Sequence, residues 1–352
     1  MKMAANGDKE KSLTELEKEV ESLKKKLRKR REKNCDATLR DSSATILHFD
    51  QLSYKIRRSL KGHQGKILRL DWTKNGQKLI SSSQDGEVIM WDAFSSQKDI
   101  VIPQSTPWTM ACSIDSVGSY IACGGVDNKC SIYDIQDLED IASTKRTIAT
   151  HTSYISDCKF IYSDCQLLTA SGDTTCALWD VETSQMIYTF HGHKADVLSL
   201  DLCPTFPANL IASGSCDNIV KIWDLRQGQC THSFEDHKAS VNCVKFFPTG
   251  DVIGSASDDG TCRLFDLRAM QGISIYKRDS IIFGVSSLDF TKSGRLLLAG
   301  YYDFNIHAWD TLKMERVSTL YGHESRVSCL KMSPDGFGLA SGSWDQTVKV
   351  WA

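Results

Sequence analysis

The chain has 352 residues, 41% of them hydrophobic and 24% charged, with 42 Lys and Arg against 44 Asp and Glu. That balance suits a globular protein with a large core; it contains no run near the roughly 20 apolar residues of a membrane-spanning helix and no N-terminal stretch of signal-peptide type, so the chain is expected inside the cell. The near-neutral total hides an asymmetry, because residues 1–34 hold 12 basic and 7 acidic side chains and leave the other 318 residues with 30 basic against 37 acidic.

The first predicted element is a helix in SLTELEKEVESLKKKLRKRREKN, residues 12–34. Leu13, Leu16, Val20, Leu23 and Leu27 fall at spacings of three, four, three and four, the a/d pattern of a two-stranded coiled coil. Ser12 or Thr14 can cap its start, and Glu15 and Glu17 stand in the first turn, where the helix dipole favours acids. Two to three heptads with so narrow a seam are not stable alone in water, so the seam must face another chain or the side of the main domain; the short a/d stripe with charges between favours a second polypeptide. Lys24 to Arg31 holds seven basic residues out of eight. The run reads as a solvated or partner-facing helix surface; a nuclear-import signal, a nucleic-acid contact or a patch for anionic lipid is the sharper alternative. No aromatic residues interleave with the cations, which argues against nucleic acid. Residues 1–41 are taken as helix and linker, and 42–352 as the main domain.

The 13 cysteines are odd in number and several stand inside apparent strands, among them Cys130, Cys176 and Cys262. They read as small reduced core residues rather than a disulfide framework. There is no Cys-x-x-Cys pair and no histidine cluster at ligand spacing, so no metal and no cofactor are expected.

From residue 85 a motif recurs seven times. Aromatic residues Trp91, Tyr133, Trp179, Trp223, Phe265, Trp309 and Trp351 end alternating segments such as VIMWD, CALWD and VKIWD, 42 to 46 residues apart. Six positions before each stands an aspartate: Asp85, Asp127, Asp173, Asp217, Asp259, Asp303 and Asp345. Five units open with a histidine (His63, His151, His193, His237, His323), and the same five carry Ser81, Thr169, Ser213, Ser255 or Ser341 four positions before the aspartate. The other two units have Cys123 and Ala299 there. Histidine and hydroxyl come and go together, as expected when a buried imidazole needs partners for both ring nitrogens.

This unit of about 43 residues resembles the WD40 repeat over residues 55–352. The resemblance implies an all-β fold, a seven-bladed β-propeller of four antiparallel strands per blade, preceded by the coiled-coil helix. The aromatic strand is third in each blade, and segments such as QMIYTFHGH supply the fourth. The last repeat, SGSWDQTVKVWA, has none after it. YKIRRSLKGH, residues 54–63, has the missing form, so residues of about 54–60 are expected beside 346–351, locking the ring.

Ser, His and Asp together invite comparison with a hydrolase triad, but five copies at one spacing behave as structural networks. No nucleophile elbow, phosphate-binding loop or dinucleotide fingerprint occurs, so no catalytic residues are assigned. The chain is expected to be non-enzymatic. In a blade of this kind the loop after each histidine and the turn holding each aspartate open at one end. Lys66, Trp108, Tyr154, Asp196, Ser240, Gly284 and Arg326 therefore share a rim with Gln84, Val126, Gly172, Cys216, Asp258, Tyr302 and Trp344. Four aromatics among charges on one surface look like interface anchors.

The segments NCDATL, WTMACS, IACGGVDNKCSIYD, SGDTTCALWDVET, SDDGTCRLFDLRA and SGRLLLAGYYDFN, with the helix before them, resemble the β subunit of heterotrimeric G proteins over essentially the whole chain. RRSLKGH, HGHKADVLSLDL and IIFGVSSLDF are most similar to its divergent type-five branch. The resemblance implies signalling downstream of G protein-coupled receptors. Its helix would pair with a γ subunit or with the γ-like domain of a regulator of G-protein signalling. The rim would dock a G protein α subunit and effectors through Lys66, Trp108, Met110, Asn128, Tyr154, Asp196, Asp258 and Trp344. Two positions depart from the family's usual pattern: Leu68, where a tyrosine is usual, and Ser240, where an acid is usual. No prenylation motif is present, so attachment at the inner face of the plasma membrane would come through the partner. A WD40 scaffold of another, nuclear complex is the alternative raised by the basic run.

Overall fold

Each repeat folds into one four-stranded antiparallel sheet, and seven such sheets stand side by side. The computed structural model describes residues 13–33, 52, 54–136, 141–161, 164–205, 209–277 and 282–352. The chain divides into two units, Met1–Ile46 and Leu47–Ala352. The expected domain boundary at 41/42 lies outside the described residues.

In the first unit a helix runs from Leu13 to Lys33. Thr14 lies within it, Glu15 is in its first turn, and Ser12 is outside the described residues. Its seam is open, with Leu16, Val20, Leu23 and Leu27 each between 46% and 55% exposed. Leu13 opens the helix, and its side chain is not described.

In blade 1 the strands are Ile67–Trp72, Lys78–Ser83, Glu87–Asp92 and Lys98–Pro103, from the channel outward. Second strands are buried on both faces, which explains why they read as runs of small and apolar residues rather than alternating ones. Leu79 feeds a core shared with Cys329, Ala340, Val348 and Val350 of blade 7. Its neighbour Ile80 points the other way, into a core with Ile114, Cys123 and Tyr133 of blade 2. Leu167 and Leu168 divide in the same way between two further cores. The hydrophobic clusters therefore lie between blades, and no blade has a core of its own.

Two devices tie neighbouring blades at the channel. Every first strand carries one extra residue against its partner, a β-bulge, at Leu68, Met110, Ser156, Leu198, Asn242, Ser286 and Ser328. The polar ones reach sideways: Ser156 Oγ donates to Val197 O at 2.5 Å, Asn242 Nδ2 to Val285 O at 2.9 Å, Ser286 Oγ to Val327 O at 2.5 Å and Ser328 Oγ to Ile67 O at 2.5 Å. Deeper in the channel, Asp157 accepts the Leu200 N–H at 2.9 Å, Asp201 the Phe246 N–H at 2.8 Å and Asp289 the Met332 N–H at 2.7 Å. Lys245 pairs with Asp201 at 2.9 Å and Lys331 with Asp71 at 3.3 Å. Burial alone would raise the Asp201 carboxyl, but Lys245, Lys159 and Lys331 together hold it below its usual value.

Blade 7 is built from both ends of the domain. Thr347–Trp351 pairs antiparallel with Ile56–Lys61, with Ser59 opposite Lys349 and Leu60 opposite Val348. Lys55 and Ala352 exchange backbone hydrogen bonds at 3.1 and 3.2 Å. Leu60 is 1% exposed and enters the core between blades 7 and 1.

The cysteines need one correction. Cys112, Cys123, Cys130, Cys158, Cys176, Cys203, Cys262 and Cys329 are buried and free, but Cys165 and Cys230 are exposed and Cys216 and Cys243 half-buried. Cys165 and Cys216 stand in bends or turns and Cys230 on an open outer strand, where no core demands a small apolar side chain, while Cys243 still packs at the margin of the core between blades 5 and 6.

Candidate functional site

The rim is built on the turn that holds each repeat aspartate. The residue after the aspartate has φ between 63° and 82° in all seven blades: Gly86, Asn128, Thr174, Asn218, Gly260, Phe304 and Gln346. A left-handed residue is cheap for Gly and Asn but costs Thr, Phe or Gln of order 1 kcal/mol. The aspartate compensates by accepting, on Oδ1, the N–H two residues on: Glu87, Lys129, Thr175, Ile219, Thr261, Asn305 and Thr347, at 2.9–3.3 Å.

In five blades Oδ2 carries the second task. His63 Nδ1 lies 2.9 Å from Asp85 Oδ2 and its Nε2 2.7 Å from Ser81 Oγ, while Trp91 Nε1 donates to the same hydroxyl at 2.8 Å. His151–Asp173–Thr169–Trp179, His193–Asp217–Ser213–Trp223 and His323–Asp345–Ser341–Trp351 repeat this geometry. In blade 5 His237, Asp259 and Ser255 do the same, with the Phe265 ring edge-on to the histidine. Burial pushes each of these carboxyls up, but the histidine and the backbone N–H donors outweigh it: Asp85, Asp173, Asp259 and Asp345 lie below the ordinary carboxylate range, and Asp217 is lowered to about 2. The two blades without the histidine solve the problem separately. His307, from the third strand of blade 6, reaches back with Nε2 to Asp303 Oδ2 at 2.9 Å. In blade 2 the Tyr133 hydroxyl donates to Gln104 at 3.2 Å.

Above these turns the rim side chains pair across blades. The backbone joins the two sets first: Gln84 N donates to Lys66 O, Gly172 N to Tyr154 O, Cys216 N to Asp196 O, Asp258 N to Ser240 O, Tyr302 N to Gly284 O and Trp344 N to Arg326 O. Lys66 Nζ lies 4.1 Å over the Trp344 ring, and the Arg326 guanidinium 4.8 Å from both the Trp344 and Tyr302 rings. Across blades 3 and 4 the Tyr154 hydroxyl donates to Asp196 at 2.7 Å. The Tyr154 ring lies on Gly172, where an added Cβ would come within 2.4 Å of it. Asn242 Nδ2 donates to Asp258 at 2.6 Å and to the Tyr302 hydroxyl at 3.3 Å. Burial and the Asp258 charge push that hydroxyl up to about 12, so it stays a neutral donor. Trp108 stands apart, 40% exposed, with φ of 64° and its N–H on Gln84 O. Val126 beside it is 50% exposed. Asn128 Nδ2 reaches Thr152 O at 3.5 Å.

Inside this ring of side chains the channel opens as a cavity of about 230 Å³. Met110 and Leu68 line it on one side; Ser156, Leu198, Asn242, Ser286 and Ser328 complete the circle, with Tyr302 and Trp344 above. All seven are bulge residues. Met110 thus lines the same mouth as Trp344 and Tyr302, whereas Asp196 and Tyr154 form a separate pair outside it. Leu198, Asn242 and the three serines escaped the sequence reading. Their only signal was a fixed offset of two residues beyond each rim position.

A family model described as G protein beta WD-40 repeat protein matches residues 10–352. The chain belongs to that family. Among its relatives, guanine nucleotide-binding protein subunit beta-5b of Danio rerio is 54% identical over 319 residues, covering 90% of this chain and 81% of the relative. Guanine nucleotide-binding protein subunit beta-2 of Caenorhabditis elegans is 47% identical over 340 residues, covering 97% and 92%. Leu68 stands at the mouth and Ser240 at the rim next to Asp258, whose N–H donates to its carbonyl. Among the described residues no helix is long and apolar enough to cross a membrane.

Proposed function

We propose that this propeller is the β subunit of a heterotrimeric G protein, a non-enzymatic signal transducer whose helix binds a γ subunit or a γ-like domain and whose rim docks an α subunit and effectors. The observation that carries this reading is the pairing, in one chain of this family, of two unfilled surfaces. One is a heptad seam whose Leu16, Val20, Leu23 and Leu27 stay about half exposed. The other is a rim on which Lys66, Arg326 and Trp344 are held in one stack around an open mouth. Covering the seam removes apolar surface at about 25 cal/mol per Å², which is what a helix of this length lacks by itself. A rigid aromatic flanked by cations suits an acidic and apolar partner face. Placement at the inner face of the plasma membrane follows if the partner carries a lipid anchor.

Co-expression with a γ-type or γ-like helix tests the first surface. The full chain should elute as a one-to-one complex, and Leu16→Asp with Leu23→Asp should abolish the complex while the propeller keeps its β-sheet circular dichroism. Recovery of the double variant in an intact complex would refute the seam. The second surface is tested with Trp344→Ala. Binding of GDP-loaded α subunit or of an effector should fall at least 30-fold, as for a central anchor worth about 2 kcal/mol or more. Stability should change by no more than about 1 kcal/mol, because Trp344 is half-buried at the rim, between half-buried Lys66 and exposed Arg326. Unchanged affinity would remove Trp344 from the site.

A further inference from the structure

We propose that the outer edge of blade 7 docks directly on an anionic lipid bilayer, independently of the partner-binding rim. The edge strand Ile56–Lys61 reads IRRSLK and exposes every residue but Leu60. It holds three cations in six positions, with exposed Lys55 immediately before it and no acid in either place. No other outer strand of the ring carries more than one Lys or Arg. The concentration runs against the sign of residues 35–352 as a whole, which hold 30 basic against 37 acidic side chains.

The patch extends past the strand. Lys98 of blade 1 reaches across to Gly62 O at 3.0 Å, adding a cation beside Lys61. Arg58 Nε donates to Phe94 O at 2.7 Å, which places the Phe94 turn against the strand. At the other side Gly322 abuts Ile56, so that Tyr321 emerges next to it. Phe94 is 68% exposed, Tyr321 73% and Ile56 40%. The nearby acids are engaged elsewhere: Asp92 accepts the Phe94 and Ser95 N–H groups, Asp99 pairs with Lys78 at 3.2 Å and Asp345 with His323. Among the described residues Glu324 faces the patch, in a cleft it shares with Lys61, Lys349 and the His323-bound Asp345.

Cations on an edge strand guard against pairing with another sheet, and the register shift at Arg57 does the same. That protection explains the charges but not the exposed Phe, Tyr and Ile flanking them. Long flexible cations between apolar and aromatic side chains are the composition of surfaces that sit in the headgroup layer of a charged bilayer. The same edge, bulged and charged, is poorly suited to adding an acidic peptide as a further strand, so the lipid surface is the occupant assigned. Its contribution would add to that of any lipid anchor on a partner.

The test is co-sedimentation of the full chain, purified with an unlipidated helix partner, with phosphatidylcholine vesicles with and without phosphatidylserine. The wild-type complex should sediment only with the phosphatidylserine vesicles, and less so as salt rises. Lys55→Ala with Lys61→Ala should lower the partition coefficient about 30-fold, at about 1 kcal/mol per cation. Lys74→Ala with Lys292→Ala, the same charge change in turns of blades 1 and 6, should alter it less than about two-fold by the same arithmetic. Phe94→Ser with Tyr321→Ser should weaken binding while keeping its dependence on phosphatidylserine. Equal losses in the two lysine pairs, or equal sedimentation with neutral vesicles, would overturn the proposal. So would binding of polyglutamate by a complex that ignores every vesicle, which would assign the edge to an acidic protein.

Discussion

Deletion of residues 54–60 is expected to leave no soluble folded protein. The segment completes blade 7, and Leu60 also enters the core between blades 7 and 1. Without it Thr347–Trp351 becomes a bare sheet edge with its backbone groups unpaired, and that core opens to water. Because hydrophobic clusters lie between blades, the opening leaves two neighbouring blades unsupported rather than one. A milder version gives a number. Leu60→Ala should cost about 2–5 kcal/mol, the range for truncating a buried leucine, whereas Ser59→Ala on the exposed face of the same strand should stay within about 0.5 kcal/mol. Urea denaturation of the two variants separates them. A monomeric deletion product with an unchanged thermal transition would refute closure by this strand.

The second large effect is on acid stability. Asp217 is lowered to about 2, against about 3.9 for an unfolded aspartate, and Asp85, Asp173, Asp259 and Asp345 are shifted in the same direction. A depressed carboxyl binds its proton more readily in the unfolded chain. Its stabilising share is therefore complete above about pH 4 and is lost as pH falls towards about 2, at about 2 kcal/mol for a shift of this size. The urea midpoint should vary little with these groups above about pH 5 and drop steeply below about pH 4, with a slope of more than one proton. At neutral pH Asp217→Ala should destabilise by about 3 kcal/mol, since it strips acceptors from His193 Nδ1, Lys194 N and Ile219 N together. Asp127→Ala, whose carboxylate accepts the Lys129 N–H at 3.3 Å in a blade without the histidine, should cost about 1 kcal/mol. Equal losses in the two variants would show that the histidine networks add nothing to the turns.

The contrast between Asp217 and Asp127 also explains what could be read in advance. Aspartate, histidine and hydroxyl stand at fixed offsets inside one repeat, so comparing repeats within the chain exposes them. The strand missing from the last repeat was visible for the same reason, because YKIRRSLKGH has the form of every other fourth strand. Contacts that cross from one repeat to the next leave weaker traces. Asp157 and Asp201 bond to backbone N–H groups of the following blade, which impose no residue type on their partner. The bulge positions hold Leu, Met, Ser or Asn according to whether that blade is tied sideways or left apolar at the mouth. His307 stands four residues after Asp303, out of phase with the other five histidines, and only its 2.9 Å contact reveals that it stands in for them. The helix seam was legible from local heptad spacing, yet nothing in that spacing names what covers it.

The clasp between Arg57 and Ala352, 295 residues apart, sets an order of events during synthesis. An emerging chain can form its early sheets and pack each against the next, but the side of blade 1 that faces blade 7 stays unmatched until residues 347–351 have left the ribosome. Long-range pairing of this kind is slow, and the sticky surfaces remain open while it waits. A cell making this protein must therefore shelter a nearly finished molecule, and a truncation near its end should be cleared rather than secreted into the working pool as a six-bladed remnant.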